Sequence, residues 1–299
     1  MKKLFILAYA LFTINQSFAC DICGCNSGNY FMGPFPQFTK HFIGMRYSFQ
    51  NFSTVLKSDK SQFSKDYFKT TELLLGTKLG KKWQLLAFVP YSMNHTISDD
   101  GIANNNGLGD ITLMGSYNLI NSIRTTQDTE AVRQQVWIGG GAKLPTGRFK
   151  PNMADFLASV NSQPGTGSID FLAVATYLLQ FKKWAVNSTA TYKYNQSAYN
   201  FTFGNRFAAT VFVSRSFQCK AITFSPNAGL LYTNLNANKI TNTKVNDTGG
   251  YTLLSAAGFQ ARYRQFTIGC NAQIPLLANL SSGQTHIKMG GMVQLSYTF

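Results

Sequence analysis

Alternation of apolar and polar side chains recurs along the whole chain, in segments of 11 to 15 residues that turn residues separate. A period of two residues is typical of β-strands with one apolar face. No segment between them has the pattern of an amphipathic helix. The sequence therefore predicts an all-β fold of about twelve antiparallel strands in up-and-down order. The predicted strands lie near residues 39–50, 68–79, 82–93, 108–120, 134–145, 168–180, 183–194, 205–217, 220–233, 249–263, 265–275 and 286–299.

The first residues predict export from the cytoplasm. Lys2 and Lys3 precede an apolar run from Leu4 to Ile14, and small residues flank Phe18 just before Cys20. This order is that of a secretory signal peptide, predicted over 1–19. No later window contains the roughly 18 to 20 apolar residues of a spanning helix. A chain of this kind enters a membrane only as a closed barrel, because lipid offers backbone groups no other partners. We therefore predict a transmembrane β-barrel over 38–299 in the outer membrane of a Gram-negative cell, in contact with its lipid.

The end of the chain supports the same location. Val293, Leu295, Tyr297 and Phe299 share one face of the last predicted strand. An apolar strand that ends on Phe resembles the signal by which the barrel assembly machinery recognises outer-membrane proteins, so this machinery is a predicted partner. The alternative is a soluble edge strand.

Composition argues against a conventional soluble domain. Charged residues make up 13% of the chain and aromatic residues 14%, whereas soluble domains carry about 25% charge. The net charge is +15, from 27 Lys and Arg against 12 Asp and Glu, and loss of Lys2 and Lys3 with the leader would leave +13. Because these charges are scattered rather than gathered in a basic stripe, nucleic-acid binding is not expected.

The predicted connections alternate in length, which indicates an orientation. In outer-membrane barrels the short turns face the periplasm and the long loops face outward. The connection over 121–133 breaks the rule, being too long for a tight turn, and a short helix or a misassigned strand are the alternatives there. Short turns are predicted at 79–82, 181–183, 217–220 and 262–265, and long loops at 51–67, 94–107, 146–167, 195–204, 234–248 and 276–285. Aromatic residues predict two interfacial girdles, formed by Trp83, Trp184, Phe217, Tyr263 and Phe266 near the short turns and by Tyr91, Tyr194, Tyr232 and Tyr251 near the long loops.

Three glycine-rich segments carry a family resemblance. They are Gly107–Leu113, Gly141–Arg148 and Pro164–Asp170. In order and spacing the chain resembles, over roughly 70–180, the outer-membrane proteins of the meta-pathway phenol-degradation family, distant relatives of the fatty-acid and aromatic-hydrocarbon channels. The resemblance implies a porin-like transporter for passive uptake of small hydrophobic or aromatic solutes. The full fatty-acid channels have fourteen strands and an N-terminal plug, from which this chain departs.

Successive residues of a strand point to opposite faces of a sheet, so the parity of a residue's position relative to the lipid-facing residues predicts whether it points into the barrel. This strand parity predicts a mixed belt of charges inside the barrel. Such a belt hydrates a pore and biases which solutes pass, although small barrels also fill their interiors with paired charges for packing alone. The predicted lumen and constriction residues are Arg46, Glu72, Asp110, Lys143, Asp170, Lys193, Arg206 and Lys288.

A cysteine-rich segment, predicted to be periplasmic over 20–37, follows the leader. Cys20, Cys23 and Cys25 have a spacing that fits a soft metal ion such as Cu(I) or Zn(II), a disulfide or, at Cys20, a lipid anchor. The segment resembles leaders of barrels from Bacteroidetes, which implies a source in that group. No other cofactor is predicted.

Enzymatic activity is not expected. His41, His95 and His286 are the three histidines, and no nucleophile motif accompanies them; His286 is predicted to face the lumen. An outer-membrane channel is the leading interpretation. A structural or metal-binding barrel without transport and, further behind, an outer-membrane lipid hydrolase are the alternatives.

Overall fold

Twelve long antiparallel strands build a closed barrel in the part of the chain that the computed structural model describes, residues 41–57, 59–99, 101–125, 131–150 and 160–299. The predicted all-β barrel of about twelve strands is confirmed. The strands are β1 Phe42–Val55, β2 Phe63–Leu79, β3 Trp83–Ser98, β4 Thr112–Thr125, β5 Ala131–Lys143, β6 Asp170–Phe181, β7 Trp184–Tyr194, β8 Arg206–Arg215, β9 Ile222–Leu235, β10 Gly250–Tyr263, β11 Phe266–Leu280 and β12 Thr285–Thr298.

Each strand pairs with its neighbours in sequence, and the first pairs with the last. Phe42 of β1 lies opposite Thr298 of β12, and the ladder continues along both strands. Closure leaves no free edge between β1 and β12, which is the condition for a sheet that faces lipid. Within the described residues, no helix is long and apolar enough to cross a membrane.

Several strands are longer than the sequence predicts at the end where the long loops lie. β1 continues to Val55 and β2 begins at Phe63, so most of the predicted loop 51–67 is strand. Likewise Gly101–Leu108 pairs with the outer half of β3 and forms a hairpin where a loop is predicted. These segments are rich in Asn, Ser and Thr. Pairing satisfies their backbone groups without requiring apolar side chains, so polarity alone does not distinguish such extensions from loops.

The described residues of the connection from β4 to β5 agree with the second predicted alternative, a misassigned strand. β4 continues to Thr125 and β5 begins at Ala131, with these two residues paired. The predicted exception over 121–133 is therefore largely strand. A register shift between Asn118 and Ile120 interrupts the alternation of β4, which explains why the pattern ends early in the sequence.

The outer face of the barrel is apolar and sorts its aromatic side chains by height. Trp83, Trp184 and Phe266 are exposed beside the short turns, and Tyr91 and Tyr194 are exposed toward the long loops. Exposed aliphatic side chains lie between the two groups. This arrangement matches the girdles of outer-membrane barrels.

Basic residues at the short turns lie over the aromatic rings of the lower girdle. Lys182 is 5.3 Å from the Phe181 ring centroid, and Arg264 is 5.3 Å from that of Tyr263. Arg215 lies over Trp184 at the same distance. Part of the large positive charge thus gathers on this rim, where cation–π contacts hold it at the edge of the apolar surface.

The interior contains large apolar side chains that strand parity did not single out. One cluster comes from β8 to β12 together with β1 and β2, which are consecutive around the wall. A second cluster comes from β1 to β4. The first consists of Phe52, Phe68, Phe212, Leu231, Leu254, Ala256, Leu280, Ile287 and Met292, and the second of Phe42, Leu74, Leu86, Phe88 and Met114.

Candidate functional site

Charged side chains meet inside the barrel at nearly one level. Strand register places Arg46 opposite Glu72 on β1 and β2, and Lys143 opposite Asp170 on β5 and β6. Lys193 of β7 lies opposite Arg206 of β8. Of the eight predicted lumen residues, the structure gathers seven in this region. Six of them are buried, namely Arg46, Glu72, Asp110, Lys143, Asp170 and Lys193, and Arg206 is half-buried.

Asp110 is the centre of the hydrogen-bond network. Its Oδ2 accepts from Lys143 Nζ at 2.5 Å, from the Thr166 amide at 2.9 Å and from the Thr166 hydroxyl at 2.8 Å. Its Oδ1 accepts from the Gly147 amide at 3.0 Å. Because Gly147 and Thr166 belong to the connection between β5 and β6, one carboxylate fastens both ends of that connection to the barrel wall.

Asp170 extends the network toward β7. Its Oδ1 accepts from the Ser168 hydroxyl at 2.8 Å and from the Gln196 amide at 3.1 Å. Its Oδ2 lies 3.0 Å from Lys143 Nζ and 3.7 Å from Lys193 Nζ. Lys143 therefore bridges two carboxylates, whereas Lys193 meets one of them at a longer distance.

The three glycine-rich segments of the sequence converge at this network. A Cβ at Gly165 would lie 2.7 Å from the backbone carbon and oxygen of Gly147, and a Cβ at Gly147 would lie 2.8 Å from Asp110 Oδ1. Only glycine lets the two backbones and the carboxylate approach this closely. Sequence reasoning selected Asp110 by parity and missed Gly147, Gly165 and Thr166. The signal in the sequence that could have identified these residues as part of the site was the glycine-rich composition of their segments.

The β5–β6 connection folds inward over the lumen. Asn94 of β3 donates to the Ser162 carbonyl at 2.7 Å, and Asn105 donates to the Ser162 hydroxyl at 2.6 Å. Val160 packs with Phe201 and Phe203 in a buried apolar cluster. We name the described parts of this connection, 144–150 and 160–169, the inner loop.

A cavity of about 50 Å³ lies between the inner loop and the barrel wall. One water molecule needs roughly 10–15 Å³ on this measure, so a larger polar group also fits. Both polar and apolar side chains line the cavity. The polar ones include Glu72, Asp110, Lys143, Lys193, Asn195, Arg206 and Asn238, and the apolar ones Phe88, Pro90, Val160, Phe203 and Leu235.

Lys288 is placed differently from its prediction. It is exposed, whereas its neighbour Ile287 is buried inside the barrel. The pairing of β12 with β1 shifts register between Gln50 and Phe52. A bulge of this kind adds a residue and reverses the inward and outward parity beyond it. His286, also predicted to face the lumen, is exposed for the same reason.

The cysteine segment lies outside the described residues, as do the predicted leader and the rest of 1–40. Across the described ranges no three His, Cys, Asp or Glu side chains lie close enough to hold a metal ion. His95 is in the outer hairpin, where its Nδ1 and Asn104 Oδ1 are 2.7 Å apart. His41 stacks on Phe299 at the opposite rim.

Substitution of Gly165 by alanine tests the packing of the inner loop. The added methyl group meets the Gly147 backbone, so we expect a loss of about 1–3 kcal/mol in the free energy of unfolding, the range for overpacking. Gly115→Ala is the control, because a Cβ there meets its nearest atom at 3.6 Å. An unchanged urea midpoint for Gly165→Ala would contradict the predicted contact.

The closed barrel, the sorted aromatic face and the charged interior define an outer-membrane β-barrel. The family model described as "Putative MetA-pathway of phenol degradation" matches residues 48–272, well over half of the chain. The chain therefore belongs to that family, and the family resemblance of the sequence is confirmed. Comparison with curated proteins gave no significant match.

Solved structures with a similar fold are outer-membrane barrels. A crystal structure of an outer membrane channel from Pseudomonas putida F1 is 15% identical, with a TM-score of 0.58 over 89% of this chain and 97% of that chain. The β domain of the Bordetella autotransporter BrkA is 11% identical, with a TM-score of 0.48 over 87% and 100% of the two chains. At these identities the likeness concerns the fold.

Proposed function

We propose that this barrel is an outer-membrane channel for passive uptake of small solutes, hydrophobic or aromatic ones in particular. The observation that carries the proposal is the mixed interior, in which a charged network and a cavity share the lumen with large apolar clusters. A purely structural barrel needs a filled interior but has no use for a cavity lined by charged groups. The family membership and the fold of the Pseudomonas putida F1 channel support the same reading.

The apolar clusters favour solutes with a hydrophobic body. Phe212 and Leu231 are buried in the lumen, and Phe88 lies both in an apolar cluster and at the cavity. Aromatic solutes gain contact area on such surfaces, and ring–ring contacts contribute about 0.5–1.5 kcal/mol beyond area burial. The network around Asp110 and the inner loop forms the constriction of the proposed path.

Reconstitution of the folded barrel separates this proposal from its rivals. We expect discrete conductance steps in planar bilayers and swelling of liposomes in small aromatic solutes. A silent barrel that admits no solute would favour a structural role. Release of fatty acid from phospholipid vesicles by the purified chain would favour the lipid hydrolase instead.

Ion selectivity is the next prediction. The network contains four cations, Arg46, Lys143, Lys193 and Arg206, against three carboxylates, Glu72, Asp110 and Asp170, so a modest anion preference is expected. Reversal potentials in a salt gradient measure it. Arg206→Gln should shift the preference toward cations, while exposed Lys60→Gln should not. Cation selectivity of the unmodified barrel would show that the network does not control permeation.

A further inference from the structure

In the described part of the chain, the carboxylates that line the cavity have close partners, whereas two of the donor groups that line it do not. Both acidic groups that line it have dedicated partners, because Glu72 forms an ion pair with Arg46 and Asp110 accepts four hydrogen bonds. By contrast, the ion-pair partner of Lys193 Nζ among the described residues is Asp170 Oδ2, which lies 3.7 Å away. This distance exceeds that of a hydrogen bond.

Asn238 supplies a second donor. Its side chain is 2% exposed and lines the cavity, and its Oδ1 accepts from the Gly204 amide at 2.9 Å. Its Nδ2 has no hydrogen-bond partner among the described residues. A buried amide donor without a partner is destabilising, and an acceptor group on a ligand would remove that cost.

Asn195 and the apolar residues that line the cavity restrict the chemical class of the ligand. Asn195 Oδ1 also lacks a partner in the described part of the chain, and a ligand hydroxyl would satisfy it. Phe88, Val160 and Phe203 face the same space. The ligand therefore combines an anionic acceptor group with a compact apolar body.

We infer that the cavity is a binding site for a small organic carboxylate with an aromatic or similarly compact apolar body. The carboxylate lies between Lys193, Arg206 and Asn238, and the body lies against Phe88, Val160 and Phe203. The inference deepens the proposed channel function, on which its physiological meaning rests, by naming the class of solute that the constriction holds.

Benzoate and benzamide provide the test, because they share size and shape and differ in charge. Isothermal titration of the full chain in detergent should show benzoate binding at least about tenfold tighter than benzamide, since a hydrogen bond to a charged group contributes roughly 1.5–3 kcal/mol and 1.4 kcal/mol is tenfold. Lys193→Met should remove most of this preference. Equal affinities for the two compounds, or no benzoate binding to the folded barrel, would overturn the inference.

A second variant protects the test against misfolding. Asn238→Asp keeps an acceptor for the Gly204 amide and replaces the free donor by a negative oxygen, so benzoate binding should fall at least about tenfold. Lys239→Met is the matched control, since Lys239 is adjacent in sequence and exposed. Benzoate affinity retained in Asn238→Asp, with heat-modifiable migration intact, would refute the site.

The outcome also separates the site from the channel. Titration measures binding without a membrane, whereas conductance and swelling measure permeation. A barrel that conducts but does not distinguish benzoate from benzamide contradicts only the carboxylate site. A barrel that binds benzoate and never conducts contradicts the proposed channel and leaves the site intact.

Discussion

Replacement of Asp110 by leucine is expected to lower the free energy of unfolding by about 3–5 kcal/mol, the range for breaking a buried ion pair by removing one partner. The substitution leaves the Gly147 and Thr166 amides without their acceptor, and among the described residues it leaves Asp170 as the one carboxylate that pairs with Lys143. Because the same carboxylate fastens the inner loop, conductance should rise together with the loss of stability. Urea unfolding in lipid vesicles, followed by heat-modifiable migration, measures the first effect, and planar bilayers measure the second.

Two variants show whether the charge or the contacts of Asp110 matter. Asp110→Asn retains an acceptor for the Gly147 amide. Its free energy of unfolding should therefore lie between those of the wild type and Asp110→Leu. Asp59→Leu is the matched control, because Asp59 is exposed and, in the described part of the chain, its carboxylate accepts hydrogen bonds from Ser61 alone. The urea midpoint of this variant should stay near that of the wild type. A wild-type midpoint for Asp110→Leu would contradict the central role of this carboxylate.

The number of strands was predictable from the sequence because a membrane-spanning strand must alternate between residues that face lipid and residues that face the lumen. One face meets lipid, so alternation in β6 and β7 is regular from Asp170 to Phe181 and from Trp184 to Tyr194. The upper ends of β1, β2 and β3 were not predictable in the same way. There both faces are polar, and pairing rather than lipid contact keeps segments such as Gly101–Leu108 in strands.

The same reasoning explains what the sequence reveals of the site. Parity places Arg46, Glu72 and Lys193 inside because their strands are regular around them. It misplaces Lys288, because a bulge depends on the pairing of β12 with β1 and leaves no clear signal in either strand. The path of the inner loop depends on contacts that close only in the folded barrel, such as Asn94 to Ser162.

The apolar side chains of the interior were not predictable from the sequence for a different reason. Adjacent apolar residues such as Leu230 and Leu231, or Leu253 and Leu254, occupy both faces of β9 and β10. With apolar residues on both faces, the alternation identifies the strand but not its inner side. The structure assigns Leu231 and Leu254 to the lumen. They belong to an apolar surface that accompanies the predicted belt of charges inside the barrel.

Arg46 and Glu72 should behave as one unit in a double-mutant cycle. Each is about 4% exposed, and each is the other's cross-strand neighbour and ion-pair partner. Arg46→Met leaves a buried carboxylate and Glu72→Met a buried guanidinium, so each should cost about 3–5 kcal/mol in the free energy of unfolding.

The double variant Arg46→Met/Glu72→Met should recover most of that loss, because a buried ion pair and a well-packed apolar pair of similar volume are often nearly equivalent in stability. Its net charge is unchanged, so the anion preference of the barrel should persist, whereas Arg46→Met alone should weaken it. Urea midpoints of the four proteins and their reversal potentials measure both effects. Additive losses would mean that the two residues are held by other contacts, and the pair would then have no part in setting the constriction.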